Sequence, residues 1–175
     1  QRLPNHFLDR QATDSTPELE ALESLMTNID ASTVGIIFPE GTRANNKKRT
    51  RALEKIATND PDRADRLSDM RHLLPPRPAG AAAMLRGCIS ADVVVAWHVG
   101  FEGLDTFGGI LKAISSDMPP IRFHLRRVSR DEIPDASISN GEGFTRWLDD
   151  EWMRMDREVN DALSARNEMR RNHRG

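Results

Sequence analysis

The passage Val34-Gly35-Ile36-Ile37-Phe38-Pro39-Glu40-Gly41-Thr42-Arg43 restricts the fold more than any other part of the chain. A short apolar run stops at a proline and gives way to a carboxylate, a glycine, a hydroxyl and a guanidinium. That is the pattern of a buried strand ending at a sheet edge. Gly41 lets a ligand approach the backbone with no Cβ in the way. Arg43 can grip a phosphate through two parallel hydrogen bonds. Glu40 can orient a hydroxyl or hold a neighbouring cation. A surface turn closed by a Glu40–Arg43 pair is the competing reading of the same residues.

The flanking sequence supplies a frame for that strand. Leu3–Asp9 reads as a short strand. Thr16-Pro17-Glu18 carries a capping hydroxyl, a first-turn proline and an early acid, a helix start. Leu19, Leu22, Met26 and Ile29 follow at helical spacing. With Thr33–Phe38 as the next strand, this predicts a βαβ unit and a parallel pairing. Residues 44–71 are highly charged and read as an exposed loop followed by a solvated helix. His72–Pro78, with prolines at 75, 76 and 78, must interrupt it. A short helix over Gly80–Leu85 and a buried strand over Ala91–Val99 come next. Gly100–Gly109 reads as a loop. Ile121–Val128 alternates, with Ile121, Phe123 and Leu125 on one face and Arg122, His124 and Arg126 on the other. The last element is a helix over Phe144–Leu163, striped by Phe144, Trp147, Leu148, Trp152, Met155, Val159 and Leu163. That period predicts packing against the sheet, although Trp147 and Trp152 also suit a membrane surface. Residues 164–175 form a polar, basic tail expected to fray. The expected fold is therefore α/β: a mixed, largely parallel sheet flanked by helices.

Composition narrows the function. A chain of 175 residues can bury one core, and 38% hydrophobic with 30% charged residues is ordinary for a globular domain. A net charge of −2 argues against a general nucleic-acid binder. The single Cys88 cannot form an internal disulfide and reads as a small buried residue. No apolar stretch approaches the ~18 residues of a membrane span. The start, Gln1-Arg2-Leu3-Pro4, is polar and opens on Gln, so upstream sequence is expected to be missing or processed. His72, His98 and His124 form no compact ligand motif and read as ordinary structural or surface histidines. The Lys47–Lys55 cluster reads as a solvated face, with anionic head groups as the alternative.

Phe38-Pro39-Glu40-Gly41-Thr42-Arg43 resembles the third conserved block of the glycerolipid acyltransferases, the family that acylates lysophospholipids and glycerol phosphate. All six positions match, and Ala44 stands where that family often has Ser. Phe7-Leu8-Asp9-Arg10 is similar to the second block, and Arg10 precedes Phe38 by 28 positions. His72-Leu73-Leu74-Pro75-Pro76-Arg77-Pro78-Ala79-Gly80 resembles a segment of the lysophospholipid and lysocardiolipin acyltransferase branch, without its Thr and Lys. Val93–Val99 takes the place of the fourth block but lacks the usual proline. Arg126-Arg127-Val128, Glu132-Ile133-Pro134 and Trp147-Leu148 echo the same branch.

The resemblance implies transfer of a fatty acyl group from acyl-CoA or acyl carrier protein to a lysophospholipid or glycerol phosphate hydroxyl. It implies a histidine base oriented by an aspartate, with no cofactor and no metal. Arg10, Glu40, Gly41, Thr42 and Arg43 would bind the acceptor phosphate. It also implies a membrane-associated protein working at the cytoplasmic side. Asn5-His6 imitates the family's His-x-x-x-x-Asp block, but Gln11 stands where the aspartate should be. The first block should also lie well before the second. His6 is therefore not expected to be the base. Residues 1–163 are expected to be an acyltransferase domain without its N-terminal catalytic segment, inactive alone. A non-catalytic lipid- or phosphate-binding α/β domain is the alternative. An unrelated phosphate-binding or hydrolytic domain is a third.

Overall fold

The computed structural model describes residues 16–30, 32–101, 104, 107–114, 120–135 and 141–172. Six helices and a two-stranded sheet occur among them, in the order α1 (Thr16–Thr27), α2 (Asn46–Asn59), α3 (Pro61–Arg66), α4 (Pro78–Gly87), β1 (Val93–Val99), α5 (Phe107–Ile114), β2 (Arg122–Val128) and α6 (Glu142–Asn172). A single 3-10 turn, Arg130–Glu132, follows β2.

The core lies between α4, the sheet and α6. Ala81, Ala82 and Leu85 from α4 meet Val95 and Val128 from the strands and Phe144, Leu148 and Met155 from α6, with Ile133 closing one end. Trp97, Trp147 and Trp152 pack against this cluster, half-buried. Small residues on α4 let its backbone come close to both partners. On its other side α4 packs along α1, where an added Cβ on Gly87 would stand 2.2 Å from the Glu23 carbonyl oxygen.

β1 and β2 are antiparallel, pairing Val93 with Val128, Val95 with Arg126 and Trp97 with His124. The largely parallel sheet expected from the sequence is not what the described residues form. Thr33–Phe38 belongs to no ladder among the described residues, and Leu3–Asp9 lies outside them. Nor is this segment buried on both faces: Val34, Ile36 and Phe38 are 81%, 76% and 80% exposed. Its alternate residues do pack. Gly35 lies against Met26 and Met84, and Ile37 against Gly80. The segment thus packs on α1 and α4 through alternate residues and joins no strand among the described residues.

Nor does β2 bury the apolar face expected of it. Phe123 and Leu125 are 67% and 72% exposed. His124 instead stacks on Trp97 at a centroid distance of 3.8 Å, and the Arg126 guanidinium pairs with Glu151 of α6. The register explains the arrangement. The face of β1 that meets α6 carries Val93, Val95 and Trp97, and antiparallel partners share a face. α6 offers Glu151 to Arg126 and Glu158 to the Trp97 indole N–H, which makes this polar edge tolerable.

The charged stretch after Arg43 becomes helix sooner than expected. Asn45 caps α2, its side chain accepting from Lys48 N–H, and Asp60 caps α3 in the same way through Arg63 N–H. α2 buries no residue, in keeping with a solvated helix. α5 begins at Phe107, inside the stretch read as a loop, and runs through Gly108 and Gly109. α6 does not fray at Ser164 but continues to Asn172. No glycine or proline interrupts residues 144–172, and good helix formers carry the helix onward.

Candidate functional site

The Phe38–Gly41 turn is closed by a hydrogen bond from Gly41 N–H to the Phe38 carbonyl, 2.9 Å. Gly41 has φ 69°, a left-handed conformation that costs other residues about 1 kcal/mol or more. The glycine in the motif is therefore required by the turn itself. Beyond it the chain opens to solvent. Arg43 is exposed, and Thr42 is half-buried. Lys48, one turn into α2, folds back so that its ammonium donates to Thr42 Oγ1 at 2.8 Å and to the Arg43 carbonyl at 3.2 Å.

Glu40 faces the other way. Its Oε2 accepts the Leu74 main-chain N–H at 3.2 Å, tying the turn to the loop that leads into α4. Burial raises the Glu40 carboxyl above its ordinary value. The Leu74 N–H opposes that rise, as does the Trp152 side chain, although the buried indole N–H makes no well-formed hydrogen bond. Glu40 thus serves the scaffold, and the Glu40–Arg43 surface pair is not formed.

The loop that receives Glu40 is itself rigidly held. Asp156 of α6 accepts N–H groups from Arg71, His72 and Leu73 at 2.8, 2.7 and 2.7 Å. Asp149, two turns earlier in α6, takes two hydrogen bonds from Arg63, each 2.8 Å, and Arg63 also donates to the Pro76 carbonyl. Three prolines and two buried aspartates therefore fix the path of residues 71–77.

That path delivers a residue that sequence reasoning did not single out. Arg77 donates its main-chain N–H to the Pro39 carbonyl at 3.0 Å. Its guanidinium covers the open face of Gly41, with Nη1 and Cζ 3.6 and 3.7 Å from where a Cβ would stand. Among the described residues the side chains of Arg43 and Arg77 have no carboxylate partner. By contrast Arg63, Arg86, Arg126, Arg127 and Arg154 are all ion-paired. Arg77 lies within the quoted family-like segment, but only the fold shows that it meets Gly41.

Comparison with known proteins gives no match. No family model, no curated protein and no solved structure is similar to this chain.

Of the expected site residues, Glu40, Gly41, Thr42 and Arg43 fall together at the turn, with Glu40 on its inner side. Arg10 and His6 lie outside the described residues. No described histidine is shown in contact with the turn. His72 Nε2 stands 3.2 Å from Asn160 Oδ1, His124 stacks on Trp97, and His98 meets Phe101 edge-on. Among the described residues no group of three or more His, Cys, Asp or Glu could hold a metal ion. None of their helices is long and apolar enough to cross a membrane.

Proposed function

We propose that this chain holds the acceptor phosphate in a glycerolipid acyltransferase domain. The observation that carries the reading is the Gly41 turn. There Thr42, Arg43 and Lys48 come together at an open surface, while the only carboxylate of the motif, Glu40, is turned inward to Leu74. A cationic turn with its acid withdrawn favours a phosphate over a neutral ligand. The resemblance of Phe38–Arg43 supplies the reaction: acyl transfer from acyl-CoA or acyl carrier protein to a lysophospholipid or glycerol phosphate hydroxyl.

In that reaction a histidine oriented by an aspartate takes the proton of the acceptor hydroxyl. The oxygen attacks the thioester carbonyl, and the thiolate leaves. Arg43 and Arg10 hold the phosphate and so fix the hydroxyl's position. The described residues hold no such base at the turn, so it comes from elsewhere. In the same proposal the sheet is largely parallel, and Thr33–Phe38 would belong to it. The protein would act on the cytoplasmic side of a membrane, with the lipid acceptor as its partner.

Two assays on the full chain test this. With acyl-CoA and lysophosphatidate, thiol release should remain at background. Lysophosphatidate binding, followed by tryptophan fluorescence, should weaken about tenfold in Arg43→Ala, the size of one lost charge-assisted pair. Turnover abolished by His6→Ala would put the base in this chain and overturn the division of labour. Binding indifferent to Arg43→Ala would remove the phosphate reading. A purely lipid- or phosphate-binding domain is the second reading, since among the described residues no histidine is shown at the turn. It would bind in the same way yet give no turnover when joined to any upstream segment.

A further inference from the structure

We infer that the outer face of the β1–β2 sheet is a self-association surface, on which a second copy of this chain packs face to face. What binds at the Gly41 turn does not enter into it.

The strand register defines the face. α4 and α6 cover one side of the sheet, through Val95, Trp97 and Val128. Alternate residues stand on the other side. There the pairs are Val94 with Arg127, Ala96 with Leu125 and His98 with Phe123. All six residues are exposed, and so is Phe101 just beyond β1. Leu125, Phe123, Val94 and Phe101 are 72%, 67%, 57% and 40% exposed. The rings gather at one end. Phe101 meets His98 edge-on at 4.9 Å and Phe123 at 6.4 Å, and His98 lies 5.7 Å from Phe123. From these rings an apolar surface runs through Leu125 and Ala96 to Val94.

Area and charge select the occupant. Val94, Ala96, His98, Phe101, Phe123 and Leu125 together expose on the order of 500 Å², the scale at which an apolar patch marks an interaction site. Two such faces in contact would bury about 1,000 Å², the lower bound for a specific interface and the size of a weak, reversible dimer. The face carries one formal charge, Arg127, and Asp92 is paired with it. A two-fold contact sets a patch against its own copy, so an uncompensated charge would meet its like. This face has none to oppose. The same neutrality gives an anionic bilayer nothing to attract, whereas interfacial anchors carry Lys and Arg beside their apolar side. Edge-to-edge joining is the poorer geometry, because β2 bears Arg122, Arg126 and Arg127, the kind of charge that blunts a sheet edge. Sheets packed face to face sit about 10 Å apart, a gap that Phe101, Phe123 and Leu125 from two copies would fill.

Sedimentation velocity of the full chain from about 5 to 500 μM tests this, and wild type should pass from monomer toward dimer with a dissociation constant of roughly 10–100 μM. Phe123→Glu and Leu125→Lys each place a charge on the face and should weaken the dimer at least tenfold. Both side chains are exposed, so far-ultraviolet circular dichroism of the variants should match wild type. Met169→Lys alters an exposed apolar residue of α6, the helix on the opposite side of the sheet, and should leave association unchanged. A chain that stays monomeric at the highest concentration overturns the proposal. So does a dimer that Phe123→Glu and Leu125→Lys leave intact. Flotation with vesicles of phosphatidylcholine and phosphatidylserine supplies the third outcome. A chain that is monomeric in solution, yet binds these vesicles and loses that binding in Phe123→Glu, would make the occupant a membrane and not a second copy.

Discussion

Leu74 donates its main-chain N–H to Glu40 Oε2 across 34 residues of sequence, at 3.2 Å. This bond joins the Gly41 turn to the loop that carries Arg77. It also explains why the acid of the motif is unavailable to Arg43. Burial raises the Glu40 carboxyl above its ordinary value of 4.5, so the folded chain holds this proton more tightly than the unfolded one. The contribution to stability is complete below about that value and is lost as pH rises through the raised folded value. Glutamine keeps the acceptor for Leu74 and does not titrate. Urea midpoints of Glu40→Gln relative to wild type should therefore improve from pH 4 to pH 7. A difference that stays constant with pH would mean that the carboxylate is well solvated.

Asp156 is expected to be a purely structural acid. Asp156→Ala strands three N–H groups at the start of the loop and should cost about 3 kcal/mol in urea unfolding. Asp156→Asn keeps one oxygen acceptor and should lose less.

Asp149 is 1% exposed, and its Arg63 partner is 13% exposed. Removing either side alone leaves an uncompensated charge, at about 3–5 kcal/mol. The double variant Arg63→Met with Asp149→Leu should recover part of that loss. Additive effects in a double-mutant cycle would show that the pair does not act as a unit.

The space around two glycines predicts opposite outcomes for substituting them. At Gly87 an added Cβ meets the Glu23 carbonyl at 2.2 Å, a backbone atom that cannot move aside alone. Gly87→Ala should cost about 3 kcal/mol or prevent folding. Gly143, in the first turn of α6, has only Pro134 Cβ at 3.7 Å. Gly143→Ala should be neutral or stabilise by about 0.5 kcal/mol through helix propensity. Thermal midpoints of both variants decide it.

Helices α1, α4 and α6 were legible because each carries its signal locally, whereas α5 was not, since Gly108 and Gly109 at its start read as loop. Thr16-Pro17-Glu18 starts α1, and the Phe144, Leu148, Met155 and Val159 stripe of α6 is buried as its period requires. The two later strands were legible for the same reason. Their direction and inward face were not, because both depend on which partner a strand meets. Phe123 and Leu125 look like a core face until the register sets His124 against Trp97 and Arg126 against Glu151. The turn was visible as a glycine between an acid and an arginine. That the acid faces Leu74, and that Arg77 covers the glycine, follow from a path set by Asp156, Asp149 and three prolines. No local pattern encodes that path.

The central claim is that a phosphate monoester binds at the Gly41 turn. A two-dimensional amide NMR titration of the full chain with glycerol 3-phosphate tests it most directly. The account predicts saturable shifts at Gly41, Thr42, Arg43, Lys48 and Arg77, which glycerol alone does not reproduce and Arg43→Ala abolishes. Shifts confined to other surfaces, or none at these five residues at saturating ligand, would contradict it.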